Sequence, residues 1–374
     1  FGKPTVTHWR PVQNLFFLIS GNIFDKNYQL YHVFTLLIHV GIGFLIFKIS
    51  YYYFKNEVSS LIPAVFYVIH PAHFTSLFWI SGSGTTIGFF FLLCAFYSYL
   101  KDKTKNAYIL YTISLLASES MLAGAVIFFL HEFLFNDLKG RKTLVTLGVI
   151  SCVYFIIKII LTPFSTYETY KLEISAATLS TLKFYFLRIL GFAEADGDLM
   201  LSIFLLILLV LVFLSFLRQL RENSELKKRS FFAICIIAAG LFPFVLLPHH
   251  LGAHYMNLSI FGFSLIIALT LSTLRNRRKF PIIIAFVLVS IVSVNLIQKD
   301  NWISTRSTFA KKYLIEIEKS NISKNSLIIF NDNEISSSYE AYISLGTGKA
   351  LDFWFKDKNY RSCFTAFENC EALP

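Results

Sequence analysis

Histidines and one carboxylate stand out in a chain that is otherwise mostly apolar. His70 and His73 flank Pro71 in the stretch I-H-P-A-H, and Glu119 lies in the stretch L-L-A-S-E-S. Imidazoles and carboxylates can exchange protons, bind phosphate groups or hold a metal ion. Because ionisable groups inside a membrane are costly, a membrane protein usually keeps them for a function. The depth of these residues in a membrane therefore decides what they can do.

The composition is that of an integral membrane protein. The chain has 374 residues, of which 55% are hydrophobic and 15% are charged. A soluble domain of this size needs more charge to cover its surface, so we expect an all-α polytopic membrane protein. The net charge of +11 comes from basic clusters in short links between apolar segments. This charge orients the chain in the membrane and does not indicate a nucleic-acid partner.

About ten apolar segments are long enough, or nearly long enough, to enter a membrane. They are residues 30–54, 58–79, 84–100, 107–118, 121–135, 143–163, 199–217, 230–248, 255–274 and 281–298. The basic clusters at 101–105, 139–142, 218–229 and 275–279 fall on one side, which the positive-inside rule assigns to the cytoplasm. We expect an extracytoplasmic segment 1–28, a transmembrane domain 29–298 and an extracytoplasmic tail 299–374.

The outer loop and the tail have features of their own. Loop 164–198 contains an amphipathic stretch, Ala176–Leu190, that predicts a helix lying at the membrane interface. Ser326–Phe330 predicts a short strand in the tail. Cys363 and Cys370, also in the tail, either form a disulfide outside or remain thiols, and the sequence leaves both open. The cysteines in apolar segments are expected to be packing residues: Cys94, Cys152 and Cys235.

Helix rise gives the depth of the polar residues. Counted from the cytoplasmic boundary near Val58, His70 lies roughly 18 Å up, well short of a core of ~30 Å. Glu119 lies at the same depth, at the turn of a short helical hairpin. Pro71 should break its helix, and S-G-S-G-T-T (81–86) is expected to be irregular. Irregular backbone at that depth must be buried in protein or line a watery cavity, so we expect a pocket open to the outside.

Further polar residues allow two interpretations each. His32, Thr35 and His39 share one helical face and could line the same pocket or bond neighbouring helices. For His70 and His73 the alternative to lining the pocket is a capping or structural role. Lys158 is expected to reach along its helix to the outer surface. His249, His250, His254 and Tyr255 fall where an outer loop meets the membrane, and we expect an interfacial role there and no metal site.

These landmarks together resemble a known family. Their order is W-R-P-V (9–12), L-Y-H-V-F-T-L-L-I-H (30–39), I-H-P-A-H (69–73), W-I-S-G (79–82), L-L-A-S-E-S (115–120) and H-Y (254–255). The series is similar to the GT-C glycosyltransferases that use polyprenyl-phosphate sugars, especially the O-mannosyltransferases with tetratricopeptide tails and their bacterial relatives. The resemblance spans residues 8 to about 275. It implies a GT-C-like transmembrane bundle with a small extracytoplasmic tail.

The resemblance also implies a substrate site. The positions that match the family's motifs are Arg10, His32, His39, His70, His73, Glu119 and Tyr255. Charged positions of the family are replaced at Thr75, Ser83, Thr85, Ser118 and His254. At Ser118 the family carries lysine. The family's catalytic carboxylate lies in the first outer loop, a region expected to precede Phe1, so the catalytic base stays unknown. No tetratricopeptide repeat follows residue 300.

The expected function is transfer of a sugar from a polyprenyl-phosphate carrier to an acceptor outside the cytoplasm, either a protein or a glycan. In that reaction Arg10, His70 and His73 could serve the phosphate, while Glu119 could orient the acceptor or hold a divalent metal. The cofactor is otherwise unknown. The Lys, Asn, Ile and Phe bias indicates a bacterial inner membrane. The alternatives are a transporter or flippase with a polar outward cavity, and a non-catalytic relative of the glycosyltransferases.

Overall fold

The computed structural model of the chain describes residues 9–162, 171–192, 217, 223–274, 276–299 and 301–370. Two compact units divide between Ile297 and Gln298. The helices up to that point are α1 (Pro11–Phe24), α2 (Tyr28–Phe54), α3 (Glu57–Val68), α4 (Phe74–Phe78), α5 (Ser83–Leu100), α6 (Thr104–Ala117), α7 (Ala125–Phe135), α8 (Arg141–Leu161), α9 (Ala176–Ile189), α10 (Ser224–Val245), α11 (Asn257–Ser272) and α12 (Asn276–Lys299). Short 3₁₀ turns occupy Pro71–His73, Ile80–Gly82, Glu119–Gly124 and Ala253–Met256.

Six helices among the described residues are long and apolar enough to cross a membrane. They are Tyr28–Phe54, Ile80–Leu100, Arg141–Leu161, Ser224–Val245, Ala253–Ser272 and Lys279–Lys299. The bent pair Glu57–Val68 and Pro71–Phe78, whose two parts meet at 46°, is either a seventh, broken span or a re-entrant loop. The chain is therefore an all-α polytopic membrane protein, as its composition predicts. The predicted segment 199–217 lies outside the described residues except for Leu217.

The predicted segments 107–118 and 121–135 form a short helical hairpin, as the depth estimated from helix rise predicted. Helix α6 has 14 residues and α7 has 11, so at 1.5 Å per residue they reach roughly 21 Å and 17 Å, too little to cross alone. Glu119 opens the 3₁₀ turn between them. The turn at Glu119 is thus where the sequence predicts it, and it places a carboxylate at the closed end of the hairpin.

The break in the second span follows from Pro71. Helix α3 ends at Val68, and His70, the residue before the proline, is extended with φ −68° and ψ 125°. A residue before proline avoids the helical region, and proline has no N–H for a helical hydrogen bond. The carbonyl groups near the break therefore need other hydrogen-bond donors. Two histidine side chains of α2, His32 and His39, supply them.

The expectation of irregular backbone over 81–86 is wrong for most of that stretch. Only Ile80–Gly82 is a 3₁₀ turn, and α5 starts at Ser83 and continues without a break. Small residues occur there because the helix packs very closely. A Cβ on Gly84 would lie 2.9 Å from the carbonyl oxygen of Ala117, and one on Gly88 would lie 3.1 Å from that of Ser114. The small residues therefore let α5 pack against α6, and Ser83–Thr86 are buried.

The buried centre of this unit is aromatic and aliphatic. Helix α11 is the most deeply buried of the described spanning helices. Of its apolar stretch 83% is buried, whereas 11% of the apolar stretch of α8 is buried, so α8 lies at the periphery. Phe89, Phe96, Phe128 and Phe261 are fully enclosed in the core. Helix α9 confirms the helix predicted at Ala176–Leu190, and its place at the membrane interface stays a prediction. The helix is capped by Ser175, whose hydroxyl accepts from the Ala177 N–H. The rest of the predicted outer loop, residues 164–170 and 193–198, lies outside the described residues.

The second unit is a small mixed domain. It contains α13 (Trp302–Lys319), β1 (Leu327–Phe330), α14 (Ser338–Ser344), α15 (Lys349–Trp354) and β2 (Arg361–Phe364). Strand β1, predicted at 326–330, pairs in parallel with β2 so that Leu327 faces Arg361 and Phe330 faces Phe364. Tyr313, Phe330 and Phe364 form its core. Of the two states that the sequence leaves open for Cys363 and Cys370, the structure has the disulfide.

Candidate functional site

An ion pair between Arg10 and Glu119 forms the centre of the candidate site. The Arg10 guanidinium donates from Nε to Oε2 at 2.9 Å and from Nη2 to Oε1 at 2.5 Å. Arg10 immediately precedes α1, and Glu119 opens the turn after α6, so the pair joins two distant parts of the sequence. Bidentate pairing of this kind fixes both side chains more firmly than a single contact does. Two residues that the sequence places in one site are thus in direct contact.

Lys158 adds a second cation to the same carboxylate. Its Nζ atom lies 3.4 Å from Oε2 of Glu119 and donates to the carbonyl oxygen of Trp9 at 3.2 Å. The side chain is 16% exposed, against 34% for Glu119. The expectation that Lys158 reaches out to the surface is therefore wrong, because carboxylate and carbonyl oxygens hold the ammonium group inside. Two positive charges and one negative charge leave a local charge of +1.

Two further side chains surround this ion cluster, which we define as Arg10, Glu119 and Lys158. The Gln13 amide donates to the carbonyl oxygen of Ser81 at 2.5 Å, which ties α1 to the turn before α5. Tyr154 lies one turn before Lys158 on α8, and its ring packs 5.9 Å from that of Trp9. The Tyr154 hydroxyl is buried and has no hydrogen-bond partner among the described residues. The charges of Glu119 and Arg10 are close enough to interact with this hydroxyl.

Tyr255 belongs to a neighbouring group of aromatic rings. His250 Nε2 lies 2.7 Å from the Tyr255 hydroxyl, and the Tyr255 ring stacks on Phe244 at 4.3 Å. The ring of His254 lies 5.0 Å from that of Trp79. Burial, together with the charge of Arg10, lowers the pKa of His250 below its ordinary value, so this ring is neutral at pH 7. Arg10 thus lies within electrostatic range of the predicted interfacial group.

No group of three His, Cys, Asp or Glu side chains suited to a metal ion occurs within the described parts of the chain. His249, in the loop after α10, pairs with Glu173, in the segment before α9, with 3.4 Å between Nε2 and Oε2. Bonds from the Ser175 and His249 side chains hold the pKa of Glu173 below its ordinary value. The loop before α9 and the loop after α10 are therefore tied together.

The histidines at the helix break lie deep in the protein. His70 is 3% exposed and His73 is 2% exposed. His70 Nδ1 accepts from the Ala72 N–H at 3.3 Å, so Nε2 carries the hydrogen and donates to the carbonyl oxygen of Ile189 at 2.9 Å. The His73 ring packs against the rings of Tyr67 and His39, at 4.3 and 4.6 Å between centroids. Such contacts are the ones expected if these histidines have a structural role and do not line a pocket.

The histidines of α2 bond the same broken span. His39 Nε2 lies 3.0 Å from the carbonyl oxygen of Val68, and His32 Nδ1 lies 3.2 Å from that of Leu77. Thr35, between them, donates to the carbonyl oxygen of Tyr31 in its own helix. Both carbonyl groups lie at the end of a helical piece, where the regular bonding ends. The predicted site residues therefore separate into two places: Arg10 and Glu119 with Tyr255 nearby, and the four histidines around the break.

An apolar groove lies beside the ion cluster. It has a volume of about 400 Å³ and is formed by α1, α2 and α5. Val12, Phe16 and Ile19 line it from α1, and Phe34 and Phe90 line it from the other two helices. Arg10 immediately precedes α1 and is two residues from Val12, so the groove begins next to Arg10 along the chain. Several of the lining residues are exposed, among them Leu15, Ile19 and Ile23.

Sequence reasoning did not assign four residues to this region. Gln13 and Tyr154 were not singled out, and Lys158 and His250 were given other roles. A signal for Lys158 is present in the sequence, since it is the only charged residue from Thr143 to Leu161. A single charge in a spanning helix is by default a functional candidate. Tyr154 carries a weaker signal, because it lies four residues before Lys158 on the same helical face.

Comparison with known proteins gives one partial similarity. Over 104 residues the chain is 24% identical to protein O-mannosyl-transferase TMTC3 of Homo sapiens, a match that covers 28% of this chain and 11% of that protein. No family model matches the chain, and no solved structure does. The similarity supports a distant glycosyltransferase-like relationship.

Proposed function

We propose that this protein is a membrane glycosyltransferase that moves a sugar from a polyprenyl-phosphate carrier to an acceptor on the extracytoplasmic side. The observation that carries the proposal is the ion cluster, in which Arg10 and Lys158 both contact Glu119. Two cations around one carboxylate leave a positive charge in a partly buried place. Such a place suits an anionic group that is brought in by a substrate.

The chemistry of the transfer needs positive charge at this point. The acceptor hydroxyl gives its proton to a base as its oxygen attacks the anomeric carbon, and the bond from that carbon to the phosphate oxygen breaks. The electron pair stays on the phosphate, whose negative charge grows as the bond breaks. Cations that are already in position stabilise this charge without reorganising, which lowers the barrier. We assign no general base to the residues of this chain.

The groove between α1, α2 and α5 supports a lipid carrier. Its lining is almost entirely apolar, and it begins beside the ion cluster. A polyprenyl phosphate has a long apolar tail and an anionic head, so one molecule can fill both places at once. Burial of isoprenoid carbon in such a groove contributes about 25 cal/mol per Å². The sequence bias described above places the protein, under this proposal, in a bacterial inner membrane.

The partial similarity to the human O-mannosyl-transferase supports the same reaction class. That protein's name gives mannose as the sugar, and mannose is the first donor to test. The acceptor under this proposal is a protein or a glycan. The alternatives remain a transporter or flippase with a polar cavity and a non-catalytic relative, and each gives a different result in the assay below.

The test is sugar transfer by the purified full-length protein in lipid nanodiscs. Radiolabelled polyprenyl-phosphate mannose, and then other polyprenyl-phosphate hexoses, are offered with extracytoplasmic protein and glycan fractions as acceptors. We expect labelled acceptor and free polyprenyl phosphate in equal amounts, and a loss of about tenfold or more for Arg10→Met. In sealed proteoliposomes, movement of intact donor across the bilayer without transfer would indicate the flippase. Absence of both activities with every donor would indicate the non-catalytic relative.

A further inference from the structure

Helix α8 is at the edge of the bundle, yet one face of it turns inward. Val149, Val153 and Ile160 are exposed, as expected of a helix that faces lipid. Leu147 and Tyr154 are buried, and Ser151 bonds the Tyr111 hydroxyl at 2.8 Å. Lys158 continues this face, because positions 147, 151, 154 and 158 recur at helical spacing. The lysine is therefore directed into the protein by the rotation of its helix.

The hairpin that carries Glu119 has no lysine or arginine from Asn106 to Leu138. Ser118, beside Glu119, is fully buried, and its hydroxyl lies 2.7 Å from that of Ser120. The second cation at Glu119 comes from α8, through the contact of Lys158 with Oε2. This positive charge beside the carboxylate is thus supplied by a different helix.

The buried hydroxyl of Tyr154 is a second indication of a ligand, and this indication does not depend on the charges. Tyr154 is 5% exposed, and its hydroxyl is buried without a hydrogen-bond partner within the described ranges. A buried hydroxyl without a partner costs about 1–3 kcal/mol. Protein groups of this kind are usually satisfied by a bound molecule or a water. Its position one turn from Lys158 places a hydrogen-bond donor beside the cation.

We propose that Lys158, Arg10 and the Tyr154 hydroxyl together bind the phosphate of the lipid carrier. The proposal rests on the proposed function and assigns the phosphate site within it. Glu119 holds the two cations in position until the phosphate arrives and shares them with it afterwards. When the carbon–oxygen bond breaks, the electron pair remains on the phosphate oxygen and Lys158 and Arg10 balance the added charge. Lys158 and Tyr154 are thereby binding residues that the motif series does not contain.

The test measures binding of polyprenyl phosphate, which carries no sugar, to the purified protein in nanodiscs. Radiolabelled polyprenyl phosphate is displaced by unlabelled polyprenyl phosphate or by polyprenol, which lacks the phosphate. We expect Lys158→Met to weaken binding about tenfold and Tyr154→Phe about threefold or more. Lys158→Arg should restore binding to within about threefold of wild type, because it keeps the charge. Polyprenol should compete poorly.

The matched control is Lys48→Met on α2. Lys48 lies over the rings of Phe44 and Phe47, away from the ion cluster, so its loss should leave binding unchanged. Equal affinity of wild type and Lys158→Met would overturn the phosphate site, as would equal competition by polyprenol. Weaker binding by Lys158→Met with full recovery by Lys158→Arg supports it. Binding of this pattern without sugar transfer would sustain the phosphate site and reject the proposed transferase.

Discussion

At the level of single residues, Glu119 determines how the candidate site is assembled. Arg10 comes from the segment before α1 and Lys158 comes from α8, and both contact the Glu119 carboxylate. Without it the two cations repel each other at short range. Glu119 is 34% exposed, so an anion can approach the pair from outside the protein.

The first prediction concerns Glu119→Gln. The amide keeps the shape of the side chain and removes its charge, so the site becomes more positive. We expect polyprenyl phosphate to bind at least as tightly as in wild type, while turnover falls about tenfold or more because the cations lose their fixed position and the product phosphate is retained. Equilibrium binding and single-turnover transfer on one preparation separate these effects. Weaker phosphate binding with unchanged turnover would contradict the role of Glu119.

The second prediction concerns His70. Its two ring nitrogens bond the Ala72 N–H and the Ile189 carbonyl oxygen, and asparagine cannot reach both. We expect His70→Asn to lower the melting temperature, through a loss of about 1–3 kcal/mol, and to leave transfer per folded molecule near wild type. His249→Asn is the control, because that side chain is half exposed in an outer loop. An unchanged melting temperature with a tenfold loss of transfer would instead support the substrate role that the sequence predicts.

The direction of the Lys158 side chain could not be predicted from the sequence. Its distance from the outer surface follows from helix rise, but the direction of its side chain depends on how α8 is rotated. In a soluble helix the polar face reveals that rotation. In a membrane the lipid-facing and protein-facing residues are equally apolar, so Val153 and Leu147 look alike in sequence. Glu119 was predictable because the short lengths of α6 and α7 place the turn between them.

At the level of elements, glycines determine how closely the helices around the site pack. The Gln13 side chain crosses α5 at Gly84, where an added Cβ would lie 2.5 Å from its Oε1 atom and 2.9 Å from the Ala117 carbonyl oxygen. Gln13 in turn donates to Ser81, so α1, α5 and α6 meet at one point. The run of small residues that suggested a cavity is therefore a packing device next to the site.

The third prediction follows from that close packing. Gly84→Ala adds a Cβ against a backbone carbonyl that cannot give way easily, and we expect a cost of about 1–3 kcal/mol with a lower melting temperature in detergent. Gly148→Ala on α8 is the matched control, since its Cβ would meet nothing within 4 Å. That variant should be neutral or slightly stabilising, because alanine favours helix more than glycine does. Equal melting temperatures of the two variants would show that the α5–α6 contact is looser than described.

The helix break shows a second difference between the sequence and the structure. Pro71 predicted the break correctly, because a missing N–H is a local property. The sequence could not show which groups satisfy the freed carbonyls, since His39 and His32 approach Val68 and Leu77 from another helix. A histidine that lines a pocket and a histidine that packs between helices can lie at the same depth. The two roles are distinguished by the contacts that the side chain makes with other helices.

At the level of the whole molecule, the orientation in the membrane decides whether the site is accessible from outside. The basic links predict that Ser224 and Asn276 lie in the cytoplasm and that Ser337, in the tail, lies outside. The fourth prediction is that cysteines at Ser224 and Asn276 resist an impermeant thiol reagent in intact cells, whereas one at Ser337 reacts. Cys94, Cys152 and Cys235 are replaced by serine beforehand, because Cys152 is exposed. Reaction at Ser224 in intact cells would reverse the assigned side.

Under the proposed function, the exposed groove along α1 has a consequence for kinetics. Leu15, Ile19 and Ile23 are open at its edge, so the proposed carrier lipid would enter sideways from the bilayer and never pass through water. Encounter then becomes two-dimensional diffusion, and the variable that sets the rate is the mole fraction of carrier in the membrane. Diluting the bilayer with inert phospholipid at constant total carrier should slow transfer, whereas diluting the whole suspension with buffer should leave the rate per protein unchanged.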